Sequence, residues 1–157
     1  MKLNIPKKRI YVDTSVIGGC YDKEFEEWSN KLVDEFITGK KTAVVSDVML
    51  DELEDAPERV VNRYRKIPAS NKELVFLTEE ARELSYCYIK EKIVNPQWLL
   101  DTRHIAIGTV NKIDVLVSWN FKHIVNYNRI RLYNSVNLKY GYPIIEIRTP
   151  REIIYEN

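Results

Sequence analysis

The sequence predicts an α/β protein in three layers, α/β/α, with a central parallel sheet covered by helices on both faces. Two observations carry that prediction. Short apolar runs at residues 10–12, 42–45 and 115–117 are continuous, as they must be in strands buried on both sides, whereas half-solvated strands alternate. Between these runs lie segments with apolar residues at helical spacing, and strands alternating with helices build parallel sheets.

Taken in order, residues 10–12 form the first strand. Phe25, Trp28, Leu32, Val33, Phe36 and Ile37 recur at helical spacing over residues 24–37, and Gly39 lies where a helix C-cap belongs. Residues 42–45 form the second strand, and Ser46-Asp47 opens a helix containing Val48, Met49, Leu50, Glu52 and Leu53. Pro57 can start the next helix, continued by residues 59–66, before the loop at residues 68–71. Residues 74–77 read as a strand, and Thr78 with Glu79 and Glu80 as the capped start of a helix reaching about residue 91. Asn95-Pro96 breaks the chain. A helix over residues 99–111 then leads to the strand at 115–117. The remainder is less regular: a turn at Gly141-Tyr142-Pro143, a strand at 144–147 and a short helix from Pro150.

At 157 residues the chain is sized for one domain with a core of its own. We expect a single unit over 1–157, its motif-bearing core at about 9–126 and a C-terminal extension at about 127–157. Cys20 and Cys87 have no C-x-x-C spacing and read as reduced thiols. The basic stretch at residues 1–9 lacks the apolar segment of a signal peptide, and no apolar run is long enough to span a bilayer. The expected compartment is the cytoplasm. A net charge of +1 conceals a lopsided distribution. Between Asp114 and Glu146 there is no acid, while Lys122, Arg129, Arg131, Lys139 and five asparagines fall there. Such a segment points to an anionic partner or to a solvated basic face.

Three carboxylates share a topological property. Asp13 follows the first strand, Glu52 lies in the helix after the second, and Asp101 lies in the first turn of the helix leading to the last. In an open parallel sheet ligands bind beyond the carboxyl ends of the strands, and Asn120 returns to that rim after residues 115–117. Carboxylate and amide oxygens are the donors that suit Mg²⁺ or Mn²⁺. Asp13, in an Asp-Thr-Ser run, can instead cap the following helix. Asp114 starts its strand at the far end, one helix length of roughly 17 Å away at ~1.5 Å per residue, and reads as structural. Asp51 points about 100° away from Glu52 around the helix.

These positions fall in blocks: Tyr11-Val12-Asp13-Thr14-Ser15-Val16-Ile17, then Val45-Ser46-Asp47-Val48-Met49-Leu50-Asp51-Glu52-Leu53, then Leu100-Asp101-Thr102-Arg103-His104-Ile105-Ala106, then Asp114-Val115-Leu116-Val117-Ser118-Trp119-Asn120-Phe121-Lys122-His123. In their order and spacing they resemble the PIN-domain family of metal-dependent ribonucleases, including small toxins of the VapC type. The resemblance implies a PIN-like fold and Mg²⁺ or Mn²⁺ held by Asp13, Glu52 and Asp101, with Asn120 as the fourth catalytic position, one that is often Asp in the family. It also implies cleavage of RNA to a 3′-hydroxyl and 5′-phosphate, an antitoxin partner and a homodimer. Ser15, Ser118, His104, Trp119, Lys122 and His123 complete the candidates, as groups that orient ligands or meet the RNA. A buried Trp119 and a hydrogen-bonded core His104 are the plainer alternatives.

Three functions follow from these residues. The first is a metal-dependent endoribonuclease. The second is a catalytically silent RNA-binding or interaction module on the same fold. The third is a phosphoryl-transfer protein with Asp13 as nucleophile, for which Ser118-Trp119-Asn120-Phe121-Lys122 is an imperfect fit.

Overall fold

The computed structural model describes residue 3 and residues 5–155. Met1, Lys2 and Asn4 of the basic N-terminal stretch lie outside the described residues, as do Glu156 and Asn157. Five strands, β1 (Arg9–Val12), β2 (Thr42–Ser46), β3 (Lys72–Val75), β4 (Val115–Val117) and β5 (Ile147–Arg148), pair in parallel in the order β3-β2-β1-β4-β5. Among the described residues eight α-helices connect and follow them: α1 (Thr14–Gly18), α2 (Glu26–Thr38), α3 (Asp47–Glu54), α4 (Glu58–Arg65), α5 (Glu79–Lys90), α6 (Leu99–Val110), α7 (Tyr127–Lys139) and α8 (Pro150–Tyr155).

The period of two along the strands divides the core. Tyr11, Val44, Leu116 and Ile147 pack with Leu84, Tyr88, Ile105 and Tyr133 of α5, α6 and α7. Their neighbours Ile10, Val12, Ala43, Val45 and Val117 face the other way, against Val16, Leu32, Val33, Phe36 and Ile153 of α1, α2 and α8. Two helical layers thus enclose the sheet. Local signals fix the helix ends. Gly39 takes the left-handed conformation (φ 80) that closes α2. Ser46 caps α3, its Oγ accepting from Met49 N–H at 3.1 Å, and Thr78 caps α5 through Ala81 N–H at 3.1 Å. No helix among the described residues is long and apolar enough to cross a membrane.

Three elements depart from the sequence reading. β3 begins at Lys72, two residues before the expected apolar run, and Phe76 is left 54% exposed. As an edge strand it is not required to be apolar on both faces. β5 covers only Ile147–Arg148. The tail holds α7, thirteen residues long, where no helix was expected. Its apolar stripe is broken: Tyr133, Val136 and the polar Asn137 are buried while Leu132 and Leu138 face out. Asn126 caps its start, Oδ1 accepting from Arg129 N–H at 3.2 Å.

The strand order places the site. From β1 the chain proceeds outward through β2 to β3, then crosses back to lay β4 on the opposite side of β1. The crevice of such a sheet opens where the order reverses, beyond the carboxyl ends of β1 and β4. Asp13 and Ser118 are the residues that follow those two ends, and the Asp13 N–H still donates to Val117 O at 3.1 Å.

Candidate metal centre

Asp13 stands at the N-cap position of α1, yet its side chain makes no capping bond. Its Oδ2 accepts instead from the hydroxyls of Ser15 at 2.7 Å and Ser118 at 2.8 Å. Those hydroxyl oxygens are themselves fixed by backbone N–H donors, Trp119 to Ser15 at 3.0 Å and Asn120 to Ser118 at 2.9 Å. The carboxylate is buried, 6% exposed, and locked by the rim of the crevice. Its other oxygen, Oδ1, lies 3.6 Å from His104 Nε2.

His104 is delivered by α6, a helix buried around most of its circumference from Thr102 to Thr109. The imidazole Nε2 lies 2.5 Å from Glu52 Oε1. On the ring's other edge Nδ1 meets Tyr11 Oη at 2.7 Å, and Tyr11 Oη meets Ser46 Oγ at 2.7 Å. Ligand atoms of Asp13, Glu52 and His104 all fall within 4.8 Å of one another. Opposite corners of an octahedral Mg²⁺ shell are about 4.2 Å apart, from bonds of ~2.1 Å, so one ion could span this set once the His104–Glu52 hydrogen bond opens.

Asp101, in the first turn of α6, lies near this group but outside the set of mutually close ligand atoms. Burial pushes its carboxyl above the usual carboxylate range, the Asp13 charge adds to the rise, and His104 and a hydrogen bond from Asn120 oppose it. Burial alone disfavours a charged His104, but the hydrogen bond to Glu52 and the charges of Asp13, Glu52 and Asp101 outweigh it and raise its pKa. Beyond burial, both shifts share one contributor, the negative charge of Asp13 and Glu52. Carboxylate oxygens suit Mg²⁺ or Mn²⁺, and the imidazole adds a nitrogen donor that transition ions take more readily than Mg²⁺. The residues present therefore fit a divalent ion.

Of the expected site residues, Asp13 and Glu52 are thus brought together, with His104 as the third member, while Asp101 and Asn120 lie nearby. Asn120 is turned towards its neighbours: Oδ1 accepts from His123 N–H at 3.0 Å, and the side chain lies close enough to the Asp101 carboxyl to favour its charged form. Trp119 is corrected as a stacking platform. It is 9% exposed, its ring stacks on Phe25 at 4.2 Å and 16°, and Nε1 donates to Ser29 Oγ at 2.8 Å, which leaves it for the core. Lys122 and His123 lie beside the cluster, next to Trp98. Asp114 is at the opposite edge, Oδ2 accepting from Arg9 N–H at 2.7 Å. Asp51 is exposed, on a groove of about 400 Å³ that Glu52, Asp55 and Arg103 share. Tyr11 and Ser46 were missed. The only sequence signal for the pair was a hydroxyl in a central strand, where Val or Ile would pack as well.

No family model matches the chain, and no curated protein matches it in sequence. Solved structures do. The DNA-bound VapBC of Salmonella typhimurium superposes with a TM-score of 0.54 at 16% identity, covering 91% of this chain and 98% of that one. VapBC2 of Rickettsia felis, bound to a promoter DNA fragment, gives 0.53 at 15%, covering 90% and 98%. VapC20 of Mycobacterium tuberculosis, a sarcin-ricin loop cleaving toxin, gives 0.52 at 15%, covering 68% and 86%. At such identities the likeness establishes architecture, and the architecture of this chain is the three-layer PIN-like fold of VapC-type proteins.

Proposed function

We propose that this chain is a divalent-metal-dependent endoribonuclease and the toxin of a toxin–antitoxin pair. The observation that carries the reading is that Asp13, Glu52 and His104, remote in sequence, bring ligand atoms within 4.8 Å of one another at the sheet's switch point, with Asp101 near enough to feel the Asp13 charge. The fold's likeness to toxins solved with antitoxins, and to one that cleaves the sarcin-ricin loop, supports it.

In this mechanism Asp13, Glu52 and Asp101 would hold Mg²⁺ or Mn²⁺, with His104 Nε2 as a further donor once it leaves Glu52. Such an ion, when bound, lowers the pKa of water towards neutrality and offsets the charge that grows on the phosphodiester during hydrolysis. The chain supplies the positioning. Ser15 and Ser118 fix the Asp13 carboxylate from one side, which leaves Oδ1 to face the centre. Tyr11 sets the His104 ring plane, and Asn120 favours the charged form of Asp101. Groups held this way lose little freedom when substrate arrives, which is where much of the rate of a positioned reaction originates. An antitoxin partner and a homodimer belong to the same proposal.

Cleavage of RNA by the purified chain in Mn²⁺, Mg²⁺ and EDTA, alongside Asp13→Ala, tests it. Cleavage should require the ion and vanish in the variant while far-UV circular dichroism is unchanged. Undiminished cleavage by Asp13→Ala would sink the reading. A silent RNA-binding module is the competing reading, and the direct His104 Nε2–Glu52 Oε1 hydrogen bond, which engages both atoms an ion would need, favours it. Calorimetric titration separates the two, because a silent module takes up no Mn²⁺ through Asp101.

A further inference from the structure

Beside the carboxylates lies a second cavity of opposite character. It measures about 370 Å³, within the range of ligand pockets, and its wall includes Lys92, Asn95, Trp98, Lys122, His123 and Arg129 but no carboxylate. The groove on the Glu52 side, by contrast, carries Asp47, Asp51, Glu52 and Asp55. His123 is 4% exposed, and neither of its ring nitrogens has a hydrogen-bond partner. Buried polar atoms are nearly always paired in folded proteins, and an exception calls for a reason. The ring is held against Trp98 at 4.2 Å, and Lys122 Nζ stands 5.3 Å from the same indole. Arg129 donates through one nitrogen to Ile93 O at 2.6 Å, which steadies its guanidinium. None of Lys92, Lys122 and Arg129 is paired with a carboxylate among the described residues.

The cavity is joined to the metal centre by two short links. His123 N–H donates to Asn120 Oδ1, and the Asn120 side chain lies close to the Asp101 carboxyl. Trp98 stands three residues before Asp101 at the start of the same helix. A cluster of carboxylates repels a polyanion, so a strand bound there needs cations close by to hold it. The acid-free segment between Asp114 and Glu146 provides two of them at this spot.

We propose that this cavity is the subsite for a backbone phosphate of the RNA strand next to the scissile bond, with Lys122, Arg129 and the His123 ring as donors. The substrate assignment rests on the nuclease reading; the anion chemistry does not. Contacts of this kind position a strand without reading its bases, so the subsite serves affinity and register rather than sequence choice.

The chain has two histidines, His104 and His123, so ring NMR signals, assigned with His123→Asn, separate the two sites. Inorganic phosphate, and then a short 5′-phosphorylated single-stranded RNA, are titrated at fixed pH into the full chain in EDTA. Both should shift the His123 signals saturably, and phosphate should leave those of His104 in place. Lys122→Gln, a change at an exposed side chain, should weaken both interactions about tenfold by removing a charge-assisted contact. His123 signals that stay unmoved by both probes, or affinity indifferent to Lys122→Gln, overturn the subsite. A response to polyglutamate alone overturns it in favour of an acidic protein partner. If Asp13→Ala abolishes cleavage while His123 stays silent, the subsite falls and the nuclease stands. If RNA moves His123 in a chain that cleaves nothing, the nuclease falls instead.

Discussion

The His104 imidazole approaches the Glu52 carboxylate to 2.5 Å, Nε2 to Oε1. A ring 1% exposed therefore joins α6 to α3 inside a cluster that sequence spacing had assigned to carboxylates and Asn120. Removing it leaves the buried Tyr11 hydroxyl with Ser46 as its one partner. His104→Gln should cost about 1–3 kcal/mol, the usual penalty for disrupting a buried hydrogen-bonded pair. For a chain of this size that lowers Tm by roughly 2–4 °C per kcal/mol. Thermal unfolding in EDTA measures it, and an unchanged Tm would mean that the contact contributes nothing.

Asp13→Asn makes a different prediction because it removes charge and keeps shape. The amide retains an oxygen to accept from Ser15 or Ser118, whose hydroxyls now face it. Asp101, raised by burial and by the Asp13 charge, should titrate lower, nearer the ordinary carboxylate range. Carboxyl ¹³C titration of the metal-free chain reads that shift. Cleavage should fall about a thousandfold, since metal stabilisation is worth several kcal/mol of barrier.

Much of this arrangement was legible in the sequence, and the losses have physical causes. The strands β1, β2 and β4 are continuous apolar runs because both of their faces are buried, and Ser46, Thr78 and Gly39 mark helix ends through local chemistry that tertiary packing did not override. The pairing of Asp13 with Glu52 followed from strand direction and from where the next helix starts. What escaped depends on packing. α7 carries no clean apolar stripe because only Tyr133, Val136 and Asn137 of it are buried. Trp119 gives no sign in its neighbours that Phe25 and Ser29, some ninety residues away, would draw it inward. The central place of His104 needed the wholesale burial of α6, which Asp101 in its first turn disguises.

The coupling of protons and metal follows from signs. Asp101 and His104 both have raised pKa values in the folded chain, from ordinary values of 3.8 and 6.5. In the window above each ordinary value the folded state then binds more protons than the unfolded one, so unfolding free energy falls as pH rises. The His104 contribution is whole below its ordinary value and is lost as pH passes through the raised one. The Asp101 carboxylate is a cost once pH exceeds its own raised value. A divalent ion competes with these protons, so Mn²⁺ should raise Tm more at about pH 8 than at about pH 6. An increment that is equal at both, or larger in acid, contradicts the placement of the ion among these residues.

Gly18 and Gly19 should answer alanine in opposite directions. A Cβ on Gly19 would lie 2.6 Å from Ser29 Oγ and 2.8 Å from Trp119 Nε1, between the two atoms whose hydrogen bond holds the indole beneath the rim. Neither can retreat without breaking that bond, and Trp119 is fixed on its face by Phe25. Gly19→Ala should therefore cost about 1–3 kcal/mol, as overpacking does, and loosen the backbone that carries Ser118 and Asn120. Around Gly18, in α1, nothing lies within 4 Å of a new Cβ. There alanine removes a helix-disfavouring glycine and should stabilise by up to about 1 kcal/mol. Paired melting curves measure the contrast, and cleavage should fall in Gly19→Ala alone. A Gly19 variant that melts with the wild type would show that Trp119 can give way, and with it that the rim is less rigid than its hydrogen bonds suggest.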